Sequence, residues 1–107
     1  MKILTKIFGS SKRVAWPFLS PENESTVTVG KIVNGEKAIL LVQHDEDGWQ
    51  FLTGEPFDTS DAMLVGLGEI VKLDPSVLEL ADLPVGWGAR RLTAEDSWFR
   101  EKEDLLA

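Results

Sequence analysis

The chain has no cysteine, no tyrosine and a single histidine, His44. Disulfides, thiolate metal sites and cysteine nucleophiles are therefore excluded, and any imidazole chemistry rests on one residue. Positive charge is also scarce: eleven Lys and Arg stand against eighteen Asp and Glu, a net charge of −7. An acidic surface repels phosphate, so nucleic acid is not an expected partner. No apolar run approaches the ~18 residues of a membrane span. What remains is 107 residues, 43% apolar and 27% charged. That is the size and composition of one soluble globular domain over 1–107, and nothing in it names a reaction.

The few bases are unevenly placed. Residues 1–13 hold Lys2, Lys6, Lys12 and Arg13 with no acid, a local +4, while the other residues carry −11. Ile3, Leu4, Ile7 and Phe8 share one face at helical spacing, so this basic N-terminal segment reads as a short helix laid on the domain or as a loose end. Lys6 interrupts the apolar stretch and no long apolar run follows, which is not the pattern of a signal peptide. Together with the missing cysteines, this gives an expected cytoplasmic location.

The core, residues 14–99, opens with an ordered loop around Trp16-Pro17-Phe18 and Pro21, because two prolines oppose regular structure. Thr26–Val29 alternates polar and apolar, as a half-buried strand does. Gly30 breaks it, and Asn34-Gly35 is a turn signal. Ala38–Gln43 is apolar on both alternating faces, the pattern of a central strand. Asp47-Gly48 then reads as a two-residue hairpin turn into a strand over Trp49–Thr53. The register that follows pairs Asp45 with Gln50 and His44 with Phe51, and places Leu40, Val42, His44, Trp49 and Phe51 on one face.

Two readings compete over Ala62–Leu73. One helix would carry Gly66 and Gly68 at a cost of ~1 kcal/mol each, whereas a strand Ala62–Gly66 followed by a short helix over about 68–73 avoids it. Asp74-Pro75 marks another helix start, over about 75–82, which must stop before Pro84. Ala89–Leu92 reads as a return to the sheet, Trp98 and Phe99 as a last docking point, and 100–107 as a charged tail. The fold expected is α+β, a small antiparallel sheet around a central hairpin at about 38–53 with short helices. Its expected core is Ile39, Leu41, Val42, Phe51, Leu52, Val65, Leu67, Ile70, Val71, Leu78 and Leu80.

The run His44-Asp45-x-Asp47-Gly48-Trp49-Gln50-Phe51 and the stretch Ala81-Asp82-Leu83-Pro84-x-Gly86-Trp87-x-Ala89-x-Arg91 resemble those of a group of small bacterial proteins. The resemblance spans roughly residues 16–99. It implies a compact α+β bacterial domain without an assigned activity, and it carries over no catalytic residue.

Site chemistry is therefore judged residue by residue. Asp45, Glu46 and Asp47 do not form a calcium loop: aligning Gly48 with the obligatory glycine puts Gln43 first and Gly54 last, both the wrong chemistry. His44 and Asp45 are neighbours on a strand, so their side chains point to opposite faces and do not form a proton-transfer pair. Trp87, flanked by glycines and followed by Arg90 and Arg91, suits either a partner contact or a packed corner.

Three function classes stay open. The first is a non-enzymatic interaction or regulatory module with a protein partner, including an immunity-type protein that neutralises a basic partner. The second is a carboxylate-only enzyme or a small-molecule binder, and the third an oligomerising unit. The contact surface expected is Trp87, Arg90 and Arg91 with Asp45, Glu46 and Asp47 nearby. No catalytic residue, metal or cofactor is expected, and a homo-oligomer is compatible with the sequence.

Overall fold

The structure, a computed structural model, describes residues 15–103. The expected N-terminal basic helix and the last four residues of the tail lie outside the described residues. The described elements are β1 (Ser25–Val29), α1 (Gly30–Val33), β2 (Leu41–Asp45), β3 (Gly48–Leu52), β4 (Ala62–Gly66), α2 (Leu67–Leu73), β5 (Trp87–Arg90) and β6 (Phe99–Lys102). Short 3₁₀ segments occupy Thr59–Asp61 and Pro75–Leu80. The fold is α+β: a six-stranded sheet in the order β4-β1-β3-β2-β5-β6, with short helices.

The sheet is mixed rather than wholly antiparallel. The β2–β3 hairpin turns back so that β3 lies between β2 and β1, and this makes the β1–β3 pair parallel. Thr28 donates its hydroxyl to the Phe51 carbonyl at 2.7 Å across that pair, and Thr26 donates to the Val65 carbonyl at 2.8 Å. Both threonines are buried on the core face with their hydroxyls satisfied, as buried polar groups must be.

The hairpin turn differs from expectation by one position. Asp45 pairs with Gly48, His44 with Trp49 and Val42 with Phe51, so Glu46-Asp47 forms the loop instead of Asp47-Gly48. The cause is the Asp45 carboxylate, which accepts the Asp47 N–H at 2.9 Å and starts the turn one residue early. Gly48 then enters β3 at φ +123°, a conformation that favours glycine. Because the pairing shifts by two positions, the faces are unchanged. Val42, His44, Trp49 and Phe51 still share one side, joined by Trp87 and Ala89 of β5.

This face carries the core. Val42, Phe51, Leu67, Ile70 and Val77 are fully buried, and Phe18, Ile32, Ile39, Trp49, Leu80, Leu83 and Ala89 nearly so. Val77, Leu80 and Leu83 recur every third residue, and a 3₁₀ turn lines up such positions on one side. That period explains why the short helix expected after Asp74 takes the 3₁₀ form, over Pro75–Leu80. Asp74 caps it by accepting the N–H and hydroxyl of Ser76 at 3.0 and 2.7 Å, with Pro75 at its first position.

Of the other expected core residues, Leu52, Val65, Val71 and Leu78 are half-buried and pack against the core, whereas Leu41 is half-buried without joining it. Leu41 and Leu52 face the second side of the sheet, where Val27, Gln43 and Gln50 also lie. Apolarity on both sides of β2 thus marks a central position, but the described residues cover only one side. The expected strand Ala38–Gln43 begins later, at Leu41, and Ala62–Gly66 is a strand followed by a helix from Leu67. Residues 99–102, expected as docking point and tail, form the edge strand β6.

Candidate functional site

Arg91 is not at the surface. Its side chain is 1% exposed, and it uses all five guanidinium donors inside the fold. Nε and Nη2 donate to the Ile39 carbonyl at 3.1 and 2.9 Å, Nη1 to Ser76 Oγ and the Ala94 carbonyl at 3.0 Å each, and Nη2 to Asp74. The guanidinium carbon also lies 4.0 Å from the centre of the Trp98 ring. Arg91 therefore ties the lead into β2 to the 3₁₀ cap and to the loop after β5. It has no donor left for a partner.

Burial pushes the Asp74 carboxyl up, but the Ser76 hydroxyl and N–H, together with Arg91, outweigh it and hold the carboxyl below its ordinary range. A carboxylate whose pKa is depressed by folding stabilises the protein above the unfolded value of about 3.9, and that contribution is lost as the pH falls through the lower folded value. Urea unfolding of wild type and Asp74→Asn should therefore differ most at neutral pH and converge as the pH drops below about 4. A gap that stays constant down to the lowest pH would show that Asp74 is not the charged partner of Arg91.

Arg90 is exposed at the end of β5, where Nε donates to Glu101 at 2.7 Å and the guanidinium covers the Phe99 ring at 5.0 Å. Trp87 stands at the other end of the strand, half-buried on the core face opposite His44. The expected surface is thus divided. Trp87 lies beside the Asp45–Asp47 turn, while Arg90 and Arg91 lie three and four residues away at the opposite end of the sheet.

What the fold assembles at the hairpin end is a cleft of about 450 Å³, lined by His44, Asp45, Glu46, Asp47, Val85 and Glu103 among others; Trp87 is not among the lining residues. The His44 ring stacks on Trp49 with centroids 3.9 Å apart and planes within 8°. Its Nδ1 lies 2.7 Å from the Leu83 carbonyl, and since a carbonyl only accepts, Nδ1 carries a proton. His44 is oriented by that bond and not by Asp45, whose carboxylate bonds Asp47 N–H and Gln50 on the other face. Gly86, at φ +91°, turns the chain into β5 and donates its N–H to the His44 carbonyl at 2.7 Å.

Glu103 reaches the cleft because residue 88 is glycine. A Cβ there would sit 2.5 Å from Glu103 Oε2, and the carboxylate instead lies across β5 to accept from Gln43 at 3.4 Å. Lys102 is the one cation among the lining residues. Comparison with protein-family models, curated proteins and solved structures finds no match. The chemistry of the site therefore rests on its own residues.

Of the expected contact surface only the acidic turn Asp45–Asp47 lines the cleft, and Gln43, Lys102 and Glu103 were not expected there. Those residues enter through the pairing of β2, β5 and β6, and a four-residue charged edge strand has no hydrophobic alternation to reveal it. Among the described residues, no cluster of three or more His, Asp or Glu has metal-binding geometry. No helix among them is long and apolar enough to cross a membrane.

Proposed function

We propose that this domain is a non-enzymatic protein-interaction module that receives a basic segment of a partner protein at the hairpin end of its sheet. The observation that carries the reading is the cleft itself. Asp45, Glu46, Asp47 and Glu103 surround the apolar side chain of Val85, which is 55% exposed, with Lys102 as the only opposing charge in the lining. A lysine or arginine side chain would meet carboxylates at its head and apolar surface along its stem. Complementary charge of this kind speeds encounter and selects against acidic competitors. An immunity-type role, in which the domain neutralises a basic protein by covering its cationic surface, is one form of the same chemistry.

An enzymatic reading has less support. A carboxylate-only enzyme needs a carboxyl held protonated near neutral pH. Among the described residues, the carboxylates displaced from their ordinary range, Asp58, Asp74 and Asp82, are all displaced downward, each by hydrogen bonds or an arginine.

The test is a titration, followed by amide chemical shifts, with a short peptide alternating lysine and leucine. Shifts should concentrate at residues 44–48 and 85–87 and weaken as salt is raised. Neutralising Glu46, Asp47 and Glu103 together (Glu46→Gln, Asp47→Asn, Glu103→Gln) should cut affinity about tenfold or more, exposed charges being worth up to ~1 kcal/mol each. Binding that is insensitive to both salt and the triple substitution would reject the site.

A further inference from the structure

The two ends of the sheet are managed differently. The β6 edge presents Arg100, Glu101 and Lys102, charged side chains that discourage the addition of another strand. The β4 edge, Ala62-Met63-Leu64-Val65-Gly66, has no charged residue, and Met63 and Leu64 are 40% and 71% exposed. Among the described residues nothing pairs with its outer side.

The hydrogen bonds of β4 identify which backbone groups remain open. Leu67 donates its N–H to the Glu24 carbonyl at 2.9 Å, in line with the pairing of Gly66 with Ser25 and Val65 with Thr26. In an antiparallel ladder the direction alternates, so Met63 and Val65 bond to β1 while Ala62, Leu64 and Gly66 direct their groups outward. Two of those outward groups are already used. The Ala62 N–H bonds the Thr59 carbonyl, and the Gly66 carbonyl, at the cap position of α2, accepts the first helical bond. Four groups are left: the Ala62 carbonyl, both groups of Leu64, and the Gly66 N–H.

We propose that β4 pairs antiparallel with β4 of a second copy of this chain, about a two-fold axis at Leu64, joining two six-stranded sheets. In that register each Leu64 N–H meets the other copy's Leu64 carbonyl, and each Gly66 N–H meets the other copy's Ala62 carbonyl. Every open group is satisfied and none is left over. The two groups that the pairing would not use are the two already bonded within the chain. The arrangement sets no like charges opposite one another within the strand, and it places the exposed Leu64 side chains together on the second face of both sheets. Self-complementarity of this kind is what an isologous interface requires. The site lies at the opposite edge of the sheet from the acidic cleft, so dimerisation and basic-partner binding stand or fall separately.

The experiment is sedimentation equilibrium of the full chain from micromolar to millimolar concentration, with amide hydrogen exchange over the same range. Expected are a monomer–dimer equilibrium that strengthens with salt, because each copy carries −7, and exchange at Leu64 and Gly66 that slows as concentration rises. The Ala62 amide, bonded to Thr59 in the monomer, should not respond. Leu64→Lys should weaken association about tenfold or more by setting two lysines face to face, while its far-UV spectrum matches wild type. A monomer throughout the range, or a dimer indifferent to Leu64→Lys, would overturn the proposal. So would concentration-independent protection of Leu64 and Gly66 that disappears on removing residues 1–14, since the chain itself would then cover the edge.

Discussion

Arg91→Met is expected to lower the unfolding free energy by about 3–5 kcal/mol, the usual consequence of removing one partner of a buried ion pair. The substitution keeps much of the apolar stem but strands several groups at once. The Ile39 carbonyl loses two donors, the Ala94 carbonyl and Ser76 hydroxyl lose one each, and Asp74 keeps its charge without a cation. Because a protein of this size is stable by only about 5–15 kcal/mol, a large part of its stability is at stake. Arg91→Lys should recover little of it, since a single ammonium cannot donate in the plane of the Ile39 carbonyl, Ser76 and Asp74 together. Urea denaturation of the three proteins at neutral pH measures the difference. A loss below about 1 kcal/mol for Arg91→Met would place Arg91 among ordinary surface pairs.

Phe51→Ala is expected to cost about 3–5 kcal/mol, from lost transfer free energy and the cavity left behind. Phe51 is wholly buried at the middle of the core face, beside Val42 across the ladder and stacked against Trp49 at 6.0 Å between centroids. Its neighbours come from strands held by the sheet, so the site cannot collapse freely around the deletion. Leu52→Ala, one residue on and half-buried on the second face, should cost clearly less. Thermal unfolding of the pair would show the contrast, and equal losses would mean that the second face is covered as fully as the first.

Much of the fold was legible because local chemistry agreed with it. The Asp74 cap with Pro75, the alternation of Thr26–Val29 and the two glycines after Val65 each favour one backbone conformation over the alternatives, and the structure has the expected elements there. The candidate site was half-legible. Asp45–Asp47 stands out by residue type and lines the cleft, whereas Trp87, which stands out equally, pairs with His44 on the core face and does not line it. Arg91 looked identical to Arg90 in sequence, since adjacent arginines carry no mark of which one is buried.

The sequence by itself determined the chemistry that is absent, the alternation that makes a strand of 25–29, and the hairpin that joins 41–45 to 48–52. These follow from composition and from interactions within a few residues along the chain. Only the tertiary structure decided that β3 lies between β1 and β2, that one face of the sheet is buried and the other half-open, and that Arg91 sits inside while Arg90 stays out. It also decided that Glu103 joins the acidic turn across the glycine at 88. Each of these depends on which distant backbone a segment packs against, and the free energy of that choice is summed over the whole core, where no local pattern records it.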